Sequence, residues 1–262
     1  MNLSISNIAW AAESDSAVCK IMHNYGFNGL EIAPTRVFPE QPYAKLEDAR
    51  KWSEELKEKY GFTVPSIQSI WYGKQEKIFG SSEEKQSLID YTKKAIDFAE
   101  TIGCKNLVFG CPRNRYVPDG ASPAVAVGFF KEIGDYAAEH HTTIGMEANP
   151  PIYNTNFVNT TERALNLIRE VDSAGFKLNL DLGTMVYNKE DVSILEGNAE
   201  LINHVHISEP GLKPIEKRTI HSNLAVFLKT AGYQGYISIE MGKQDDLQVI
   251  ENACGYVKEI FG

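Results

Sequence analysis

The chain has 262 residues, 43% of them hydrophobic and 10% aromatic, enough to enclose one large core of the size α/β barrels reach as a single domain. Its 35 acidic residues outnumber 26 basic ones, and the formal charge of −9 repels a phosphodiester backbone, so a nucleic-acid partner is excluded unless a local basic groove reverses that field. No run of 18 apolar residues and no basic stretch ahead of an apolar one is present, so neither a membrane span nor an export segment is expected. Cys19, Cys104, Cys111 and Cys254 lie far apart without metal-binding spacing, which points to reduced thiols in a cytoplasmic protein.

In chain order, β-rich runs over 3–10 and 29–33 come first. A helical pattern over 46–60 leads to a third β-rich run at 63–70, and another over 82–102 leads to a fourth at 106–110. The alternation continues with a helix over 125–140, a strand at 143–147, a helix over 161–171 and a strand at 177–181. It closes with a strand at 204–207, a helix over 221–231, a strand at 236–240 and a helix over 247–260. Gly26, Gly61, Gly103, Gly175 and Gly232 fall where helix C-caps belong, and Asn159–Thr160 precedes an acidic first turn at Glu162. Eight strand and helix units, with no GxGxxG turn after the first strand, predict one (β/α)₈ TIM barrel over 1–262.

Such barrels place their chemistry at the carboxyl ends of the strands. Four successive strands, the fifth to the eighth, end there in Glu147, Asp181, His206 and Glu240. A strand-end acid is often a helix cap or a surface charge, but neighbouring staves aim their last side chains around one axis. Three carboxylates gathered there repel one another and call for a counter-charge. One divalent cation supplies it, and an oxygen-rich set with one imidazole favours Mn²⁺ or Mg²⁺, with Co²⁺ or Zn²⁺ also compatible.

The segments GMEANP, LNLDLG, HVHISE and YISIEMG resemble the sugar isomerase and epimerase barrels related to xylose isomerase. That superfamily also includes ketose 3-epimerases and AP endonucleases of the barrel type. The resemblance runs over nearly the whole chain and includes GFNGLEIAP and GYQGYISIE. It implies that Glu147, Asp181, His206 and Glu240 hold the metal and that Glu147 and Glu240 form the acid–base pair, on opposite faces of a small sugar-like substrate. Chemistry agrees: a metal that chelates a carbonyl and an adjacent hydroxyl acidifies the carbon between them, and one glutamate then removes its proton to leave a cis-enediolate. Return of a proton to the other face epimerises that carbon; return to the neighbouring carbon isomerises the substrate.

Around this core the substrate collar is expected to draw on Glu31, Trp10, Trp71, Glu209, Lys213 and Arg113. Glu31 ends the second strand within reach of the pocket, and the tryptophans end the first and third, where an aromatic face packs on a sugar or is plain core. Glu209 matches the acid of the family's His-x-x-Asp/Glu segment, or is a loop charge. Arg113, Arg115 and Lys213 offer loop cations for a phosphate or carboxylate, with a solvated surface charge as the plain alternative. His204 shares the parity of His206 and is expected one layer deeper as a hydrogen-bonded core histidine, while His221 stands at a helix start as a rim or capping residue.

Several positions depart from the family. Asp181–Leu182–Gly183–Thr184 lacks the histidine of Asp-x-x-His, Tyr153 and Asn156 occupy the loop where ketose epimerases carry a substrate-contacting acid, and Lys213 is the nearest base where an arginine usually follows the histidine ligand. A substrate other than the common ketohexoses is therefore in view. Three rivals remain. A lyase or dehydratase of an inosose or keto-polyol uses the same four ligands; an AP endonuclease needs histidines where this chain has Trp71–Tyr72 and Cys111–Pro112; a non-catalytic binding barrel has no use for two opposed glutamates. The resemblance also implies a homo-oligomer.

Overall fold

The computed structural model describes residues 1–262 and contains seven strands: β1 (Asn2–Ser6), β2 (Gly29–Glu31), β3 (Leu107–Phe109), β4 (Ile144–Met146), β5 (Phe176–Asp181), β6 (Ile202–Ile207) and β7 (Tyr236–Ile239). They form one parallel sheet in the order β2-β1-β7-β6-β5-β4-β3. The connecting helices are α1 (Asp15–Asn24), α2 (Pro34–Val37), α3 (Leu46–Tyr60), α4 (Ser82–Thr101), α5 (Val125–Glu139), α6 (Thr161–Val171), α7 (Leu182–Asn188), α8 (Thr219–Thr230) and α9 (Leu247–Phe261).

The predicted strand over 63–70 is absent as a continuous element. That segment makes isolated parallel bridges, Gly29 with Thr63, Ile32 with Ile67 and Ile67 with Leu107. Pro65 has no N–H to give to a ladder, and Ser69 takes a left-handed φ of 54° that turns the chain away. The bridges still join edge strands β2 and β3, so the segment acts as the eighth stave and the ring closes as a (β/α)₈ TIM barrel. The first strand also ends earlier than expected, at Ser6, where a tight turn over Asn7–Ala9 takes over.

Alternation along the staves separates two environments. Leu3 and Ile5, Leu107 and Phe109, Leu178 and Leu180, Val205 and Ile207, and Ile237 and Ile239 join the helices in one apolar core. The opposite parity is polar and buried, and it meets across the lumen: Gln68 Nε2 donates to Ser6 Oγ at 2.9 Å, and Asn106 Nδ2 donates to Ser66 Oγ at 3.0 Å and to Asn179 Oδ1 at 3.3 Å. The barrel is thus lined largely by polar side chains, many of them hydrogen-bonded to one another, where a greasy interior would be the norm.

Of the five predicted cap glycines, Gly61 shows the expected behaviour, with φ 72° at the end of α3 and its N–H returned to the Lys57 carbonyl. Gly175 does not. Asp172, in the left-handed conformation, ends α6, and Gly175 is required because a Cβ there would collide with the backbone of Gly134 in α5. Thr160 caps α6 as expected, its side chain accepting from the Arg163 N–H.

Candidate active site

Glu147 and Glu240 lie one residue past β4 and β7, where their N–H groups still extend the ladder to Phe109 and Ile207. Asp181 ends β5 and His206 is the penultimate residue of β6. One potential ligand atom from each of the four lies within 4.8 Å of the others. His206 Nδ1 is 3.1 Å from Glu147 Oε1 and 3.3 Å from Glu240 Oε2, so two carboxylate oxygens crowd one ring nitrogen.

Each group is held from behind. Asp181 caps α7, its Oδ1 accepting from the Thr184 N–H at 2.6 Å while Oδ2 accepts from the Ser208 hydroxyl. Glu147 accepts from Asn149 Nδ2 at 2.8 Å and from Asn179 Nδ2 at 3.0 Å. Asn149 is itself oriented by Arg115, whose Nη2 donates to Asn149 Oδ1 at 2.8 Å and whose Nη1 donates to the Glu147 carbonyl at 2.9 Å. Glu240 is different, since its carboxylate accepts no hydrogen bond from a backbone N–H or a hydroxyl and its one ion-pair partner is His206.

Burial, reinforced by Glu147, raises the Asp181 carboxyl to about 6. Burial likewise raises Glu240 to about 7, against the pull of His206 and with the help of Glu147 and Asp181. Burial alone would depress His206, but the charges of Glu31 and Glu240 override it and hold the imidazole well above its ordinary value. The cluster therefore demands positive charge at one point, and three carboxylates with an imidazole are a donor set that fits a divalent cation.

A pH dependence follows. Asp181 rises from 3.8 to about 6 and Glu240 from 4.5 to about 7 on folding, so the folded chain holds the extra protons and stability from both groups falls as pH rises through that window. His206, also raised, loses its contribution at still higher pH. A cation that needs ionised carboxylates reverses the sign. The chelator-treated protein is expected to lose Tm between pH about 4 and about 7, while the Tm gain on adding Mn²⁺ grows over the same range; thermal scans in both conditions check this.

A cavity of about 170 Å³ opens above the cluster, walled by Glu147, Asp181 and Glu240 together with Gln68, Tyr153 and Glu209, and no lysine or arginine lines it. The predicted collar is only partly there. Glu209 reaches the wall, but its carboxylate is clamped by Arg218, with Nε to Oε1 at 2.7 Å and Nη2 to Oε2 at 2.6 Å. Glu31 is not a wall residue; it is fully buried beneath His206. Trp10 is core, its Nε1 bonded to Asp15 Oδ1 at 2.7 Å under the Arg36 guanidinium. Trp71 turns out into the helix layer, 4.7 Å from Phe109 between ring centres, and donates to Thr92 of α4 at 2.8 Å.

Lys213 and Arg113 are exposed just outside the wall, beside the lining residues Leu212 and Pro112. His204 lies one layer down, as its parity indicated, and His221 is buried in α8 with Nδ1 2.9 Å from the Tyr256 hydroxyl. Arg115, read as a loop cation, is 0% exposed. Sequence reasoning did not pick out Asn149, Asn179, Ser208 or Arg218. Asn149 and Ser208 stand two residues past Glu147 and His206, a spacing that keeps strand parity and would have flagged them; Arg218 carries no such signal.

A closed ring of parallel staves with polar residues converging at the carboxyl ends defines a (β/α)₈ barrel whose working face is the strand-end mouth. The chain belongs to the xylose isomerase-like TIM barrels, whose family model matches residues 19–260. No curated protein matches it by sequence. Among solved structures, 3-keto-D-glucoside 4-epimerase from E. coli superposes with a TM-score of 0.79 at 19% identity, covering 99% of each chain. D-psicose 3-epimerase from Clostridium cellulolyticum H10 gives 0.78 at 12% identity over 100% of this chain and 99% of its own. An AP endonuclease of family 2 from Brucella melitensis gives 0.73 at 18% identity over 98% of each. At identities this low the likeness is one of fold.

Proposed function

We propose that the protein is a divalent-metal-dependent epimerase or isomerase of a small sugar-like hydroxy-carbonyl compound. The observation that carries this reading is the convergence of Glu147, Asp181, His206 and Glu240 within 4.8 Å, three of them on the cavity wall and His206 buried behind it. These four residues hold the cation, with Mn²⁺ or Mg²⁺ favoured by the three carboxylates and Co²⁺ or Zn²⁺ compatible with the imidazole. The similarity of fold to two sugar epimerases supports the reaction class. A wall with carboxylates and no lysine or arginine favours a small neutral substrate over the phosphodiester of an AP endonuclease. Four free cysteines, three of them buried, support a reducing compartment such as the cytoplasm.

When bound, the cation supplies Lewis acidity at a substrate carbonyl and its neighbouring hydroxyl. The residues divide the remaining work. Asp181 has both oxygens engaged by Thr184 and Ser208 and serves as a fixed ligand. Glu147, tied by Asn149 and Asn179, keeps its orientation while it takes or returns a proton. Glu240, which accepts no hydrogen bond from a backbone N–H or a hydroxyl and has only the His206 imidazole as an ion-pair partner, is the freer of the two to move a proton. Tyr153 accepts the Gly211 N–H at 2.9 Å, which leaves its own proton for a substrate oxygen.

The test is incubation of Mn²⁺-loaded protein in deuterated water with a panel of ketoses, inososes and hydroxy-keto acids. Deuterium is expected beside the carbonyl of recovered material with mass otherwise unchanged. Loss of one water from the product would assign a dehydratase instead, and absence of exchange in every compound would overturn the reading.

A further inference from the structure

Glu31 lies beneath the cluster and lines no cavity. Its Oε2 is 3.0 Å from His204 Nε2 and 3.0 Å from His206 Nε2, and the exposures of Glu31, His204 and His206 are 0%, 2% and 0%. A carboxylate oxygen only accepts, so each ring nitrogen at that distance carries a hydrogen; two lone pairs facing each other in a dry site would repel. The same rule places a hydrogen on Nδ1, but the oxygens it faces belong to Glu147 and Glu240, and a cation held by those carboxylates would take that hydrogen's place; Nε2, held on the other side of the ring by a carboxylate outside the ligand set, stays occupied. Glu31 Oε1 has no hydrogen-bond partner, so the buried carboxylate has only the two imidazoles against it. A cation at Nδ1 would sit across the His206 ring from that charge, which polarises the imidazole and strengthens it as a donor.

We infer that Glu31, gripped by His204, is the positioning residue that fixes Nδ1 as the metal-binding nitrogen of His206 and sets the affinity of the site. The inference rests on the metal-site reading of the four residues above. It assigns Glu31 a role beneath the metal and none on the substrate, and it makes His204 the second anchor of the same oxygen.

The experiment titrates Mn²⁺ into wild-type protein, Glu31→Gln and Ser4→Ala, followed by the free-ion electron paramagnetic resonance signal. Ser4 is a second buried lumen residue, with no hydrogen-bond partner for its hydroxyl, and controls for general disturbance of the interior. Glu31→Gln is expected to weaken Mn²⁺ binding by about 10- to 100-fold while Ser4→Ala matches wild type. Equal affinity in wild type and Glu31→Gln overturns the role of Glu31 alone, as does an equal loss in Ser4→Ala; failure of wild type to take up Mn²⁺ overturns the underlying site as well. Should Glu31→Gln not fold, nitrogen-15 spectra of the Zn²⁺-loaded wild type decide the point. They are expected to show His206 protonated at Nε2 and shifted by metal at Nδ1, and the reverse pattern would sink the inference.

Discussion

Glu240→Gln, measured at saturating Mn²⁺, is expected to reduce turnover by a factor of about 10²–10⁴, the range lost when a positioned acid–base group is removed. The amide keeps the shape of the side chain and an oxygen for the cation, but it cannot shuttle a proton. Glu240 carries this role better than Asp181 because Asp181 is pinned by a backbone N–H and a hydroxyl, whereas Glu240 has only an ion pair with His206. The same substitution removes one of three crowded carboxylates. Chelator-treated Glu240→Gln is thus expected to melt at or above the wild-type temperature near pH 8, where burial penalises the charge it lacks. Full turnover in this variant would remove Glu240 from the chemistry, and a collapsed melting curve would show that the loss was structural.

Arg115→Met is expected to have the largest effect on stability. The guanidinium is fully buried and holds the Glu147 carbonyl and the Asn149 side-chain oxygen, and Asn149 in turn holds Glu147. Methionine fills much of the space but leaves two acceptors without donors and strips a positive charge from behind an acidic cluster. Each buried acceptor left without its donor costs about 1–3 kcal/mol, so the two together cost about 2–6 kcal/mol. At roughly 2–4 °C per kcal/mol for a chain of this size, the melting temperature should fall by about 4–24 °C. Thermal unfolding followed by circular dichroism measures it, and a wild-type midpoint would mean that the guanidinium is dispensable to the fold.

The barrel and the convergence of its last four strand ends were legible because stave spacing and parity are written in local sequence, and a residue that closes a strand in a closed ring has few places to point. The collar was not, for reasons that differ from residue to residue. Trp71 was read from a strand that Pro65 and the turn at Ser69 interrupt, so its expected direction was lost before it was reached. Glu31 had the right parity and the wrong depth: its partner in the ladder is Ser6, and the stagger of the staves sets it below the mouth. Arg115 looked like a solvated charge in a loop rich in Pro, Asn and Arg, and nothing within that loop reveals that it folds inward toward β4. The clamp between Glu209 and Arg218 spans nine residues with no periodicity to announce it.

Unequal stitching around the ring has a mechanical consequence. From β4 through β7 the staves are joined by runs of three or four paired residues, broken by one register shift at Leu178/Asn179, and the four converging side chains stand at or just past their ends. On the far side the ring is fastened by single bridges at Thr63 and Ile67, just before Gln68 and Ser69 enter the cavity wall. Amide protons along that seam should exchange with solvent ahead of those in β5 and β6. The half that ends in the four converging side chains is expected to stay stiff, and the half that lends Gln68 and Ser69 to the cavity wall to yield.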